Sequence, residues 1–313
     1  MPYKMLIKGK WRESANLRQI RSPYDGSTAA EVYFAEKDQV LEAIAAAEEA
    51  FGATRGLASY ERSQALEKIS AEISRRHEEL ARSIALQAGK PIRDSRLEVE
   101  RAAGTFKAAA EEAKRLDGEI IPLDWIPAAH KRWGLVRRFP VGPLTAISPF
   151  NFPLNLVAHK VAPAMAAGNT VVLKPSSQVP ATALLLADII ASSGYPEGGV
   201  NVIPAGYAEA EPLLTDERIK MVTFTGSPAI GWDLKKQANK KKVTLELGGN
   251  AAVVVEPDAD LAIAVPRIVT GAFSRRLDLH FHPAPFPARE NLRRFYGRIL
   301  GEDKKTRPGR PAG

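Results

Sequence analysis

The sequence has no cysteine among its 313 residues. That excludes disulfides, thiolate metal sites and a thiol nucleophile within this chain. Long apolar runs are also missing. The richest stretch, Leu184–Leu186 with Ile189–Ile190, is far short of a bilayer span. The opening residues, Met1 to Trp11, include lysines but no apolar signal core, so the expectation is a cytoplasmic protein without a membrane partner. The dinucleotide fingerprint G-x-G-x-x-G is absent. What is present is ordinary for a folded domain: 45% hydrophobic and 26% charged residues, enough to bury a core and to form about two domains.

The formal net charge is +8, but it is unevenly placed. From Arg275 to the end there are ten Lys/Arg against four Asp/Glu, a net +6. The residues before Arg275 carry only +2. A nucleic-acid face belongs in the folded body, so this distribution argues against nucleic acid as a partner. The same stretch holds five of the prolines and two of the five histidines. Binding through this tail would be nonspecific and strongly salt-dependent.

Residues 1–34 read as short strands and turns, with Asp25-Gly26 as a turn signal. Asp38 is placed to cap a helix reaching about Phe51. A second helix from Ser59 carries Leu66, Ile69, Ile73, Leu80 and Ile84 on one stripe, ending at Gly89-Lys90-Pro91. A third covers roughly 94–115, and 118–139 reads as an irregular arm. From Val141 strands alternate with helices: strands at 144–147, 170–173, 200–203, 221–224 and 251–255, helices at 180–193 and 228–239. That alternation predicts βαβ units around a parallel sheet. Ligands of such sheets bind beyond the carboxyl ends of the strands.

Four constellations sit there. Ser148-Pro149-Phe150-Asn151-Phe152-Pro153 follows the first strand, and the Asn151 amide can point an N–H into a cleft. Lys174-Pro175-Ser176-Ser177 follows the second, offering an ammonium and hydroxyls to a ribose or phosphate. Thr225-Gly226-Ser227, then Gly231, open a helix whose N-terminus suits a pyrophosphate. After the strand Val243–Leu245, Glu246-Leu247-Gly248-Gly249 provides a carboxylate with room to act as a base. Taken singly, each is as readily a turn, a solvated lysine or a packing glycine.

Their order and spacing, together with Val172-Leu173-Lys174-Pro175-Ser176 and Phe224-Thr225-Gly226-Ser227, resemble the NAD(P)-dependent aldehyde dehydrogenases from the first residues to about Ser274. The resemblance implies an α/β fold with a Rossmann-like parallel sheet binding the cofactor. It implies an N-terminal cofactor domain over 1–246 with an oligomerisation arm at 118–140. A catalytic domain would begin at 247–274 and be truncated there. It further implies oxidation of an aldehyde to an acid with NAD or NADP by a homo-oligomer, through a cysteine thioester. Asn151 would hold the oxyanion, and Glu246 would activate the hydrolytic water. Lys174 would contact the adenosine ribose and Ser227 the pyrophosphate. Ile147, Ser148, Pro149, Phe150, Ser176, Ser177, Gly206, Gly226, Gly231, Leu247 and Gly248 complete the implied cofactor site. No metal is implied.

Three departures stand out. Ser177 occupies a position where NAD-preferring relatives often carry a glutamate, so a 2′-phosphate is not repelled. Ala210 replaces a glycine found in many relatives. By the family's spacing from Glu246 the nucleophile belongs near 280, where the chain has His280. A frameshift accounts for this. Joining the last two bases of each codon from Arg275 to the first base of the next permits Ala-Gly-Ser-Thr-Cys-Ile-Ser-Thr-Gln-Arg, with the cysteine straddling Leu279 and His280. Residues 275–313 are then an out-of-frame basic tail. The expected product is catalytically dead. The alternatives are a non-catalytic NAD(P)-binding chain and, more remotely, a basic nucleic-acid binder.

Overall fold

A computed structural model describes residues 1–249, 253–256 and 258–273. The chain divides into two compact units, Met1–Gly248 and one beginning at Gly249. The first opens with two β-pairs: β1 (Met5–Ile7) with β2 (Lys10–Arg12), and β3 (Leu17–Arg21) with β4 (Thr28–Tyr33). Four helices follow: α1 (Lys37–Gly56), α2 (Ser59–Arg75), α3 (His77–Ala88) and α4 (Ile92–Ala113). The arm is a hairpin of β5 (Glu119–Pro122) and β6 (Trp133–Val136). Then come β7 (Leu144–Ile147), α5 (Asn155–Ala166), β8 (Val171–Lys174), α6 (Pro180–Ala191), β9 (Val200–Val202) and α7 (Pro212–Thr215). The unit closes with β10 (Met221–Gly226), α8 (Pro228–Gln237) and β11 (Lys242–Leu247). In the second unit the described residues form α9 (Leu261–Phe273).

Seven strands make the main sheet, in the order β11-β10-β7-β8-β9-β1-β2. The five from β11 to β9 run parallel, and β1 joins β9 antiparallel. Side chains alternate between faces along a strand, and the core divides accordingly. Leu6, Val171 and Leu173 face one cluster with α2 to α6; Met5, Ile7, Val172 and Phe224 face another with α1, α7 and α8. Both faces are covered, as a parallel sheet requires.

Several expectations are corrected. The predicted second helix is two helices, broken at Arg76 (φ −92°, ψ 26°). No glycine or proline announces the break. The Arg76 guanidinium instead donates to Glu79 and, at 2.6 Å, to Asp188 on α6, so a tertiary contact sets the bend. Glu36, not Asp38, is the N-cap of α1; its N–H donates to the Gln39 side chain at 3.1 Å. β10 and β11 run past their predicted ends, so Thr225, Gly226 and Glu246 lie within strands. The run Val253–Val255 forms no strand. A β-branched run becomes one only with a partner ladder, and Val253 and Val254 are exposed. Residues 251 and 252 of that prediction lie outside the described residues.

Candidate functional site

Strand register places the motifs in rows. Lys174, Ile147, Phe224 and Leu245 pair in turn across β8, β7, β10 and β11. Thr225 and Glu246 form the next row, Gly226 and Leu247 the one after. Four segments far apart in sequence therefore reach one carboxyl edge. The winding direction reverses between β7 and β10, since β8 and β9 lie on one side of β7 and β10 and β11 on the other. That reversal is where open α/β sheets bind ligands. The turn Ser148–Asn151 leaves β7 at this point, with the buried Ser148 donating its N–H to the Lys174 carbonyl at 3.3 Å. Pro149 is half-buried, while Phe150 and Asn151 are exposed.

Lys174 is half-buried, and burial lowers the pKa of its ammonium. Among the described residues the Lys174 ammonium has no hydrogen-bond or ion-pair partner. A partly desolvated cation without a protein acceptor fits an oxygen-rich ligand. The neighbouring Ser177 hydroxyl donates to the Ala205 carbonyl at 3.3 Å, linking the loops after β8 and β9; Ser176 Oγ accepts the Gln178 N–H. In the loop after β9, a side chain on Gly206 would collide with the Glu209 carboxylate. Ser227 caps α8 in an extended conformation without using its hydroxyl in a cap bond. The first amides of α8, after Pro228, are thus available to an anion. These residues fit a dinucleotide.

The glycines here serve packing as well. A Cβ on Gly226 would strike the Phe224 ring, and one on Gly231 would strike Leu247 and Phe224. Gly231 therefore lets α8 lie against β10 and β11, and its N–H donates to the Ser227 carbonyl at 3.0 Å. Leu247 is half-buried in the same contact, and the Gly248 N–H donates to the Gly226 carbonyl at 3.2 Å.

Glu246 is exposed on β11, facing charged groups of α5. Lys160 of α5 is 6% exposed and donates from Nζ to Thr223 Oγ1 at 3.0 Å. Burial pushes its pKa down to about 8, partly opposed by the Glu246 carboxylate. Burial, Arg101 and Lys160 lower the pKa of His159, again against Glu246. Sequence reasoning missed both groups. The available signal was a lysine inside an otherwise apolar helix, since a lysine is rarely buried there without a role.

This arrangement has a measurable consequence. The folded state releases the Lys160 proton at about pH 8, whereas the unfolded chain holds it to about pH 10.4. The unfolded state binds more protons between those values, so Lys160 makes stability rise with pH across that window, by about 3 kcal/mol. Denaturant unfolding between pH 7.5 and 10 should show this rise, and Lys160→Met should remove it. A wild-type slope equal to that of the variant would contradict the assignment.

His280, Asn250 and everything from Ser274 onward lie outside the described residues. Among the described residues no group of three His, Asp or Glu side chains could hold a metal ion, and no helix is long and apolar enough to cross a membrane.

The profile of the Aldehyde dehydrogenase family matches residues 11–276. The chain belongs to the aldehyde dehydrogenase family. Among its aldehyde dehydrogenase relatives, the 3-sulfolactaldehyde dehydrogenase of Priestia aryabhattai is 42% identical over 273 residues, covering 87% of this chain and 57% of the relative. Aldehyde dehydrogenase 21 from Physcomitrella patens, solved with the reaction product succinate, superposes with a TM-score of 0.90 at 38% identity, covering 100% of this chain and 66% of that one. NADP-dependent glyceraldehyde-3-phosphate dehydrogenase from Bacillus halodurans, solved with NADP, gives 0.92 at 30% identity, covering 99% and 66%. This aldehyde dehydrogenase chain thus spans between half and two thirds of the length of these relatives.

Proposed function

We propose that this chain is the dinucleotide-binding part of an aldehyde-oxidising dehydrogenase, and that as written it binds NAD or NADP without oxidising an aldehyde. The observation that carries the reading is the register row at the carboxyl edge, with the Lys174 ammonium left without a partner among the described residues and the N-terminus of α8 open. Lys174 and Ser176 would hold the adenosine ribose, and Ser227 with the first amides of α8 the pyrophosphate. Ile147 to Phe150, Gly206, Gly226, Leu247 and Gly248 would line the cleft. Ser177 puts no carboxylate against a 2′-phosphate, which supports acceptance of NADP as well as NAD. The bound cofactor supplies a hydride acceptor.

The Asn151 amide would donate to the oxygen of a tetrahedral adduct, and Glu246 would take a proton from water. Both act on a carbon that a thiolate must first attack, and the chain has no cysteine. The frameshift from Arg275 is the reading we adopt for that loss, with the nucleophile's codon across Leu279 and His280. The apolar hairpin β5–β6 exposes Ile120, Trp133 and Leu135, which supports an assembly role for residues 118–140 in the intact parent.

Titration with NAD and with NADP tests the reading. Saturable binding is expected for both, and Lys174→Ala should weaken it about 10–100-fold, the usual worth of one hydrogen bond from a charged group. A folded chain that binds neither, or a Lys174→Ala variant that binds as tightly as wild type, would refute it.

A further inference from the structure

The turn that presents Asn151 is tied down from the helical layer. Glu98, in the second turn of α4, has a fully buried side chain. Its Oε1 accepts the backbone N–H groups of Leu154 and Asn155 at 2.9 and 3.1 Å. These two residues start α5, whose first amides have no acceptor within the helix. Its Oε2 accepts the Lys90 ammonium at 2.6 Å, and the Lys90 side chain is 10% exposed. Lys90 Nζ also lies 3.9 Å from the centroid of the Phe152 ring, and Arg101 Cζ lies 5.6 Å from the same ring. Lys90 stands in Gly89-Lys90-Pro91, where Gly89 has φ +61° and a Cβ added to it would lie 2.8 Å from the Pro23 ring. Any larger residue there would be strained and crowded, so the approach of Lys90 is fixed by the backbone before it.

We infer that the Lys90–Glu98 pair is a positioning device for the Asn151 turn. Glu98 fixes the amides three and four residues after Asn151, and Lys90 holds the aromatic ring directly after it. A buried ion pair costs desolvation that its own attraction seldom repays in full. Here the carboxylate also serves as the acceptor for two otherwise orphaned amides and carries the negative charge that a helix N-terminus favours. Neither residue touches a reacting atom; both act through residues 152–155. The inference rests on the proposed role of Asn151 for its use in catalysis, although the geometry of the turn is independent of that role.

Two double variants isolate the acceptor without leaving a buried charge alone. Lys90→Met/Glu98→Gln keeps a carbonyl oxygen for Leu154 and Asn155; Lys90→Met/Glu98→Leu does not. Amide hydrogen exchange of the 313-residue chain, read by mass spectrometry over residues 150–157, is the measurement. The Leu variant is expected to exchange Leu154 and Asn155 at least about tenfold faster than the Gln variant. Strands β7 and β8 should exchange alike in both. Equal exchange over 150–157, or a difference spread evenly through β7 and β8, would overturn the inference in favour of a merely structural pair. NADP titration of the same samples separates the two readings. The exchange contrast without any NADP binding, wild type included, refutes the cofactor reading alone. NADP binding without the contrast refutes this inference alone.

Discussion

Incubated with an aldehyde and either NAD or NADP, the 313-residue chain is expected to form no reduced cofactor above a protein-free blank. Asn151 and Glu246 stand at the carboxyl edge of β7 and within β11, yet in the roles proposed each would assist a bond that another group must make. An amide donor stabilises an oxyanion only after a nucleophile has reached the carbonyl carbon. A base hydrolyses an acyl-enzyme only if one exists. Where an interdependent catalytic unit loses its nucleophile, the loss is on the order of a millionfold. Histidine is no substitute, because an imidazole adduct does not give the thioester on which Glu246 would act. The assay follows the absorbance of reduced nicotinamide at saturating aldehyde. An aldehyde-dependent rise that Glu246→Gln abolishes would show that some other side chain had taken over the attack.

The second large effect concerns the core that carries the site. Phe106 of α4 is completely buried and belongs to the cluster joining α2, α4 and α5. Phe106→Ala is expected to destabilise the chain by about 3–5 kcal/mol, the transfer loss and the cavity acting together. Ile120→Ala offers the contrast. Its side chain is as large an aliphatic as the core uses, but it is 72% exposed on the hairpin, so its loss should change stability by less than about 0.5 kcal/mol. Denaturant midpoints of the two variants and wild type test both statements together. Equal midpoints would mean that α4 is not part of the cooperative core. Because Glu98 lies on the same helix, the Asn151 turn should loosen in Phe106→Ala well before the sheet does.

Much of this architecture is readable from residue pattern. The alternation from Val141 onward is strong because each buried parallel strand is a short apolar run closed by a polar or glycine signal, as at Val171-Val172-Leu173-Lys174. The site motifs are readable because residues at such strand ends are of types that turns, close backbone approach and polar contacts require, which stand out against an apolar run. The failures share another cause. Arg76 bends a helix by reaching Asp188, 112 residues on, and Glu98 caps α5 from 56 residues away. Lys160 lies buried with its ammonium on Thr223 of β10, 63 residues on. None of these leaves a local period or turn signature. The valine run at 253–255 fails in the opposite sense, having the composition of a strand and no strand partner among the described residues.

The antiparallel join between β1 and β9 has a consequence for synthesis. Leu6 pairs with Val202, and the Lys8 N–H donates to the Asn201 side chain at 2.9 Å. The strand made among the first residues therefore waits for one nearly two hundred residues later. At ordinary ribosome speeds that wait is roughly 10–40 s. Throughout it, Met5, Leu6 and Ile7, all buried in the finished sheet, have β2 on one edge but lack the β9 ladder on the other. The nascent chain thus presents an open strand edge that a holding chaperone can occupy, and the β1–β9 join closes only once β9 has been made.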